Sequence, residues 1–253
     1  MEGSVILEIE SLCSGCGQCS LQEVCLPAGI GVSDLRRLDR IVRRRRPVAR
    51  GERLFRPGDP LATLFVARTG AFKTVSLNED GHERVVGFHL PGELIGFDAL
   101  GRGEHRFEGI ALSAAKLCEV PYEQLSDIAA QIPGLQKQLL RVIGQSADRD
   151  QDHAALLMRR QADERMAVFL HRLGERYRYI GQSGSSFTLP MSREDIASFL
   201  GLAPETISRG FTRLRDDGVI AVNGRRIEIL APVALMRLAH AGVEPSMPRR
   251  RRA

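Results

Sequence analysis

The segment from Ser192 to Leu230 admits few folds. Ser192-Arg193-Glu194-Asp195 has the pattern of an N-cap with an acid three residues later, so a helix begins there. Ile196, Phe199 and Leu200 give that helix an apolar face, and Gly201 stops it. Ala203-Pro204 restarts a helix, with Pro204 suited to its first position. The second helix runs from Glu205 to Arg215, turns Ile207, Phe211 and Leu214 to a core, and stops at Gly218. Val219–Val222 and Arg226–Leu230 are then strands around Asn223-Gly224, a strong hairpin signal. Helix, tight glycine turn, helix and hairpin make a winged helix-turn-helix.

On the outer face of the second helix, Glu205, Ser208 and Arg209 stand at i, i+3 and i+4 and project together near its N-terminus. That end enters the major groove in modules of this kind. Arg can donate two bonds to guanine, Glu can accept from cytosine, and Ser suits either base type. Arg213 and Arg215 suit phosphates. A charged outer face is also what any amphipathic surface helix shows; the order of cap, glycine, restart and hairpin favours double-stranded DNA. Charge agrees: from residue 181 onward there are 11 Arg and no Lys against 7 acids, in a chain of net charge +5. The tail Arg249–Arg252 is expected to be disordered. Gly210, inside the reading helix, costs about 1 kcal/mol of helix propensity.

Upstream, Pro47 to Pro121 carries short β-rich segments between glycine turns at Gly51, Gly58, Gly70, Gly81 and Gly92. Leu64–Ala67, Phe72–Leu77 and Glu83–Leu90 are the clearest strands, and spacing near ten residues predicts an antiparallel barrel or roll. A helix is expected over Ser33–Arg46, closing on the arginines Arg43–Arg46, whose charge suits a helix C-terminus. Pro133 opens a helical region reaching about Tyr179. Leu140, Ile143, Ala147, Ala154 and Leu157 form a heptad seam with Asp150 in the gap. Such a seam faces another helix, and a symmetric homodimer accounts for it. The expected class is α+β, with a Cys-rich segment at 1–30, a β-roll at 31–132, a dimerisation helix and hinge at 133–180, the DNA-binding module at 181–242 and a basic tail at 243–253.

Four of the five cysteines, Cys13, Cys16, Cys19 and Cys25, crowd the start of the chain; the fifth is Cys118. No signal peptide is evident and no apolar run approaches a membrane span, so a reducing cytoplasm is expected, where clustered thiols favour metal or redox chemistry. Cys16-x2-Cys19-x5-Cys25 can place three sulfurs round one centre, with Cys13 or Cys118 as the fourth. Spacing alone suits a structural zinc and an iron–sulfur cluster equally. No nucleophile–base arrangement or Gly-rich cofactor loop points to an enzyme.

Cys-rich lead-in, β-roll, long helix and winged helix-turn-helix, in that order, resemble the CRP/FNR family of bacterial transcription regulators over nearly the whole chain, in particular its oxygen-sensing FNR branch. The strings that carry the resemblance are Cys16-Gly-Gln-Cys19-Ser-Leu-Gln-Glu-Val-Cys25-Leu-Pro, Gly87 to Ala99, Cys118-Glu-Val-Pro121, Asp150-Gln-Asp152 and Glu205-Thr-Ile-Ser-Arg209. The resemblance implies a 4Fe–4S cluster held by Cys16, Cys19, Cys25 and Cys118, with Cys13 as the spare. It implies that an intact cluster favours dimerisation across Ile143, Ala147, Asp150, Ala154 and Leu157. It further implies that the dimer binds a palindromic operator and controls anaerobic genes through RNA polymerase, with the loop Asn78–His82 a candidate contact. A zinc-stabilised or ligand-independent regulator is the alternative. A cyclic-nucleotide-responsive one is disfavoured: His105-Arg106-Phe107-Glu108 holds no Arg-Ser or Arg-Thr pair, and Arg106 is the one residue there suited to a phosphate.

Overall fold

The computed structural model describes residues 15–44, 47–77, 81–159 and 161–240. Cys13, Arg45, Arg46, Asn78–Asp80 and the tail Arg249–Arg252 lie outside the described residues. The elements in order are α1 (Val32–Ile41), β1 (Arg43–Arg44), β2 (Arg53–Phe55), β3 (Thr63–Thr69), β4 (Phe72–Leu77), β5 (Glu83–His89), β6 (Leu94–Ile95), β7 (Glu108–Ala111), β8 (Lys116–Pro121), α2 (Tyr122–Gln131), α3 (Pro133–Leu157), α4 (Ala162–Tyr179), β9 (Ser186–Thr188), α5 (Arg193–Leu200), α6 (Pro204–Asp216), β10 (Ile220–Asn223), β11 (Arg226–Ile229) and α7 (Pro232–His240). The chain divides into two compact units, Met1–Gln151 and Asp152–Ala253.

The first unit holds two four-stranded antiparallel sheets, ordered β1-β8-β3-β6 and β2-β7-β4-β5. Side chains on a strand alternate between faces, and β3 and β8 use both. Phe65, Ala67 and Leu117 pack with Phe55, Phe72 and Ala111 in one core. Leu64, Val66 and Val120 pack in another, with Leu26, Leu38 of α1, Leu125 of α2, and Leu135 and Val142 of α3. Cys25 and Cys118 lie against this second core.

The expected roll is present, and the arginine run differs from expectation. Helix α1 stops at Ile41, and Arg43 and Arg44 form an edge strand paired with Glu119 and Cys118. The backbone there gains ladder hydrogen bonds to β8, and this tertiary pairing overrides the charge preference for a helix end. The helical region after Pro133 is two helices. The first ends at Leu157 and the second begins at Ala162, and the Arg165 Nε donates to the Arg159 carbonyl at 2.8 Å between them.

The second unit matches the sequence pattern closely. Ser192 and Asp195 form a reciprocal capping box, Gly201 is left-handed at φ 61°, and Pro204 opens α6. β9 adds a third strand to the hairpin, giving the order β10-β11-β9. Gly210 has a packing reason: a Cβ there would lie 2.2 Å from the Met166 sulfur, so the propensity cost accompanies a close approach of α6 to α4. Gly174 is less forgiving, because its Cβ would meet the Gly184 carbonyl oxygen at 2.4 Å. A backbone atom cannot rotate away. Gly174→Ala is therefore expected to destabilise this unit by about 1–3 kcal/mol, read as a lower denaturant midpoint at unchanged slope.

Candidate functional site

The cysteine segment is a pair of short 3-10 turns, Cys16–Gln18 and Gln22–Val24, anchored at both ends. At its start, the Cys16 backbone N–H donates to the Asp39 carboxylate on α1 at 3.0 Å. Space is tight there: a Cβ on Gly15 would meet Asp39, and one on Gly17 would meet Leu35. At its end, Leu26 is buried in the second core, and the Gln138 side-chain amide on α3 donates to the Cys25 carbonyl oxygen at 3.0 Å. That segment is thereby tied directly to α3.

Cys118 arrives from β8, on the outer face opposite Leu117, cross-strand from Val66. Cys16, Cys19, Cys25 and Cys118 all line one recess, with Leu21, Pro27, Val66, Ala67 and Arg68 among its other walls. All four are thiols rather than disulfides. Burial pushes the Cys25 thiol well up, against a backbone hydrogen bond from Leu26 that lowers it, and the charges of Cys118, Cys16 and Cys19 add to the rise. Among the described residues, no group of three or more Cys, His, Asp or Glu is gathered as a ready site for a metal ion.

The seam residues lie along α3, with Ala147, Asp150 and Ala154 exposed and Ile143 and Leu157 half-buried. Leu140 is 65% exposed, and Met158, just past the helix, 82%. Helical spacing adds Gly144 and Gln151 to the same exposed stripe.

On α6, Glu205, Ser208 and Arg209 share one exposed face. The Ser208 hydroxyl donates back to the Pro204 carbonyl at 3.1 Å, which leaves its lone pairs outward. Arg213 is turned to the flank, where its guanidinium donates twice to the Asp163 carboxylate of α4. Arg215 pairs with Asp216. Two cations escaped the sequence reading. The Arg193 guanidinium carbon sits over the Phe211 ring, 3.5 Å from its centroid, and its buried Nη1 has no protein hydrogen-bond partner. Burial lowers its pKa, and the nearby charge of Arg225 on the wing lowers it further. Their positions, directly after the cap Ser192 and directly after the turn Asn223-Gly224, were the available signal.

Two domain models match. Residues 45–131 match the cyclic nucleotide-binding domain, and residues 164–238 match the Crp-like helix-turn-helix domain. The transcriptional activator protein Anr of Pseudomonas protegens is 43% identical over 229 residues, covering 90% of this chain and 94% of that protein. The chain belongs to the CRP/FNR family of transcription regulators. The fumarate and nitrate reduction regulatory protein of Escherichia coli K12 is 39% identical over 88% of this chain and 90% of its own length. FixK2 of Bradyrhizobium japonicum superimposes with a TM-score of 0.72 at 27% identity, over 78% of this chain and 97% of FixK2. This regulator is a DNA-binding protein of the Anr/FNR branch and not an enzyme.

Within its β-roll, the stretch after β6 is filled by the chain itself. Asp98 accepts from His105 at 3.2 Å and from the backbone N–H groups of Arg106 and Phe107. His105 is stacked on Phe55 at 3.9 Å. Burial alone would raise the Asp98 carboxyl; the His105 bond and the two amides outweigh it and hold the group below its usual range. A depressed carboxyl contributes stability above its unfolded-state value and loses it as pH falls through the folded one. Acid unfolding of the wild-type roll should therefore include a contribution from Asp98 below the ordinary carboxylate range. Asp98→Ala should flatten that part of a stability–pH curve measured by chemical denaturation.

Proposed function

We propose that this regulator responds to oxygen through a 4Fe–4S cluster held by Cys16, Cys19, Cys25 and Cys118, and that the cluster controls dimerisation on a palindromic operator. The observation that carries the reading is the single recess lined by all four thiols, one of them delivered by β8 from 93 residues further along the chain than Cys25. Thiolate is the donor such clusters take. The exposed walls of that recess are apolar. A structural zinc takes four thiolates as well; the similarity to Anr and to the fumarate and nitrate reduction regulatory protein is what favours the iron–sulfur cluster. When bound, the cluster would supply the oxygen-sensitive redox chemistry.

The chain's own residues carry the signal onward. Gln138 links the Cys25 carbonyl to α3, and Leu26 packs with Leu135 and Val142 of the same helix. The position of the cysteine segment thus bears on the seam. Leu140, Gly144, Ala147 and Ala154 offer a small, apolar, exposed surface to a second copy of α3. Asp150 beside it would bring like charges together across a two-fold axis, which opposes pairing. A well-seated cysteine segment offsets that cost; a displaced one does not.

In the dimer, Glu205, Ser208 and Arg209 read base edges in the major groove. Arg193 and Arg225 hold phosphates, as the unsatisfied Nη1 of Arg193 and the repulsion between the two cations both invite an anion. Arg213 flanks that surface, neutralised by Asp163, and adds to phosphate attraction only by leaving it. Contact with RNA polymerase completes the reading by family analogy. The described residues contain no helix long and apolar enough to cross a membrane.

Protein purified without oxygen should be brown, with a broad absorption band that bleaches in air. Ser at Cys16, Cys19, Cys25 or Cys118 should each abolish the colour, while Cys13→Ser should keep it. A colourless protein with stoichiometric zinc would contradict the proposal. Asp150→Ala should sediment as a dimer in air; a monomer would refute the role given to that acid.

A further inference from the structure

Residues 152–157 of α3 belong to the C-terminal unit, and two of them grip the DNA-binding module. His153 is stacked on Phe199 of α5, ring centroids 3.9 Å apart and planes 3° from parallel. Its Nε2 lies 2.7 Å from the Phe199 carbonyl oxygen. A carbonyl only accepts, so Nε2 carries the proton. Phe199 in turn meets Phe169 of α4 at 6.0 Å, tilted by 57°. One residue earlier, Asp152 takes the Arg172 guanidinium of α4 on both its carboxylate and its backbone oxygen, each at 2.9 Å. That ion pair is exposed and weak by itself. The ring stack combined with a hydrogen bond is the firmer grip.

We infer that His153 is a positioning residue that fixes the end of the dimer helix to the first helix of the reader, so that the spacing of two seams becomes the spacing of two reading heads. This rests on the dimer reading above. His153 lies between Asp150 and Ala154, so one turn of α3 carries both the seam and the grip. Two linked heads gain over one only when both reach their half-sites together; the gain is about 10²–10⁴ and vanishes when the geometry is lost. The grip should therefore matter for a palindrome and not for a single half-site.

The test uses full-length protein under anaerobic conditions. It compares a palindromic duplex, selected by the wild-type protein from a random pool, with the same duplex scrambled in one half. His153→Ala is expected to remain a dimer by sedimentation and to bind the half-scrambled duplex like wild type. Its affinity for the palindrome should fall about tenfold or more. His153→Gln, which can still donate to the Phe199 carbonyl, should recover part of the loss. Unchanged or increased affinity of His153→Ala for the palindrome overturns the inference, as does an equal loss on both duplexes. A wild-type protein that binds both duplexes alike sinks the dimer reading itself, and the role of the grip falls with it.

Discussion

The second core of the first unit is the constraint on which the site depends. Strands β3 and β8 each turn alternate residues to opposite faces, so a single strand serves two cores. Leu117 belongs to the packing between the sheets, and Cys118 to the packing against α1, α2 and α3. A register slip of one residue in β8 would exchange them and bury the thiol inside the roll. Pairing with β1 on one side and β3 on the other holds that register. The cysteine segment then adds Leu26 to the same core. Cys25 and Cys118 come to one recess because burying Leu26, Leu38, Leu64 and Val120 against the helices is favourable, at about 1.5–3 kcal/mol for each large aliphatic side chain. The soft donors arrive as passengers of that burial.

This arrangement gives the site and the helix α3 a shared fate. Leu135 and Val142 face the core that seats Cys25, and Gln138 between them bonds to its carbonyl. The opposite stripe of the same helix is open. A rigid helix that is packed on one face and available on the other converts a change at the packed face into a change of presentation. Arg149, next to Asp150, is drawn toward Glu93 at 3.7 Å, a further tie from α3 to the roll. Near its C-terminal end, the helix passes into the other unit, where His153 and Asp152 take hold of α5 and α4.

Much of this was legible in the sequence where a local rule determines a local geometry. Ser192, Asp195, Gly201, Pro204 and Gly224 each do what their chemistry prescribes, and the winged module follows. Three strands of the roll, β3, β4 and β5, were visible through their glycine turns. Legibility failed where a distant partner decides the outcome. Arg43 and Arg44 are strand because β8 lies beside them, and nothing within the run announces it. The break between α3 and α4 carries no proline or glycine; Arg165 reaches back into it to Arg159. α2 and α7 are short helices whose patterns are faint without their packing partners. In the site, the clustered cysteines were conspicuous, whereas Gln138, Arg193 and His153 are ordinary residue types given meaning only by what they touch.

The close approach at Gly210 limits how this module can change. Met166 of α4 occupies the volume that a side chain on α6 would fill, so the reading helix and the helix behind it form one fitted pair. A recognition helix with a larger residue at that position would seat here only if Met166 moved aside, however well its outward residues suited a new operator. The outward face of α6 and the inward packing of Met166 therefore change together, although Met166 is buried.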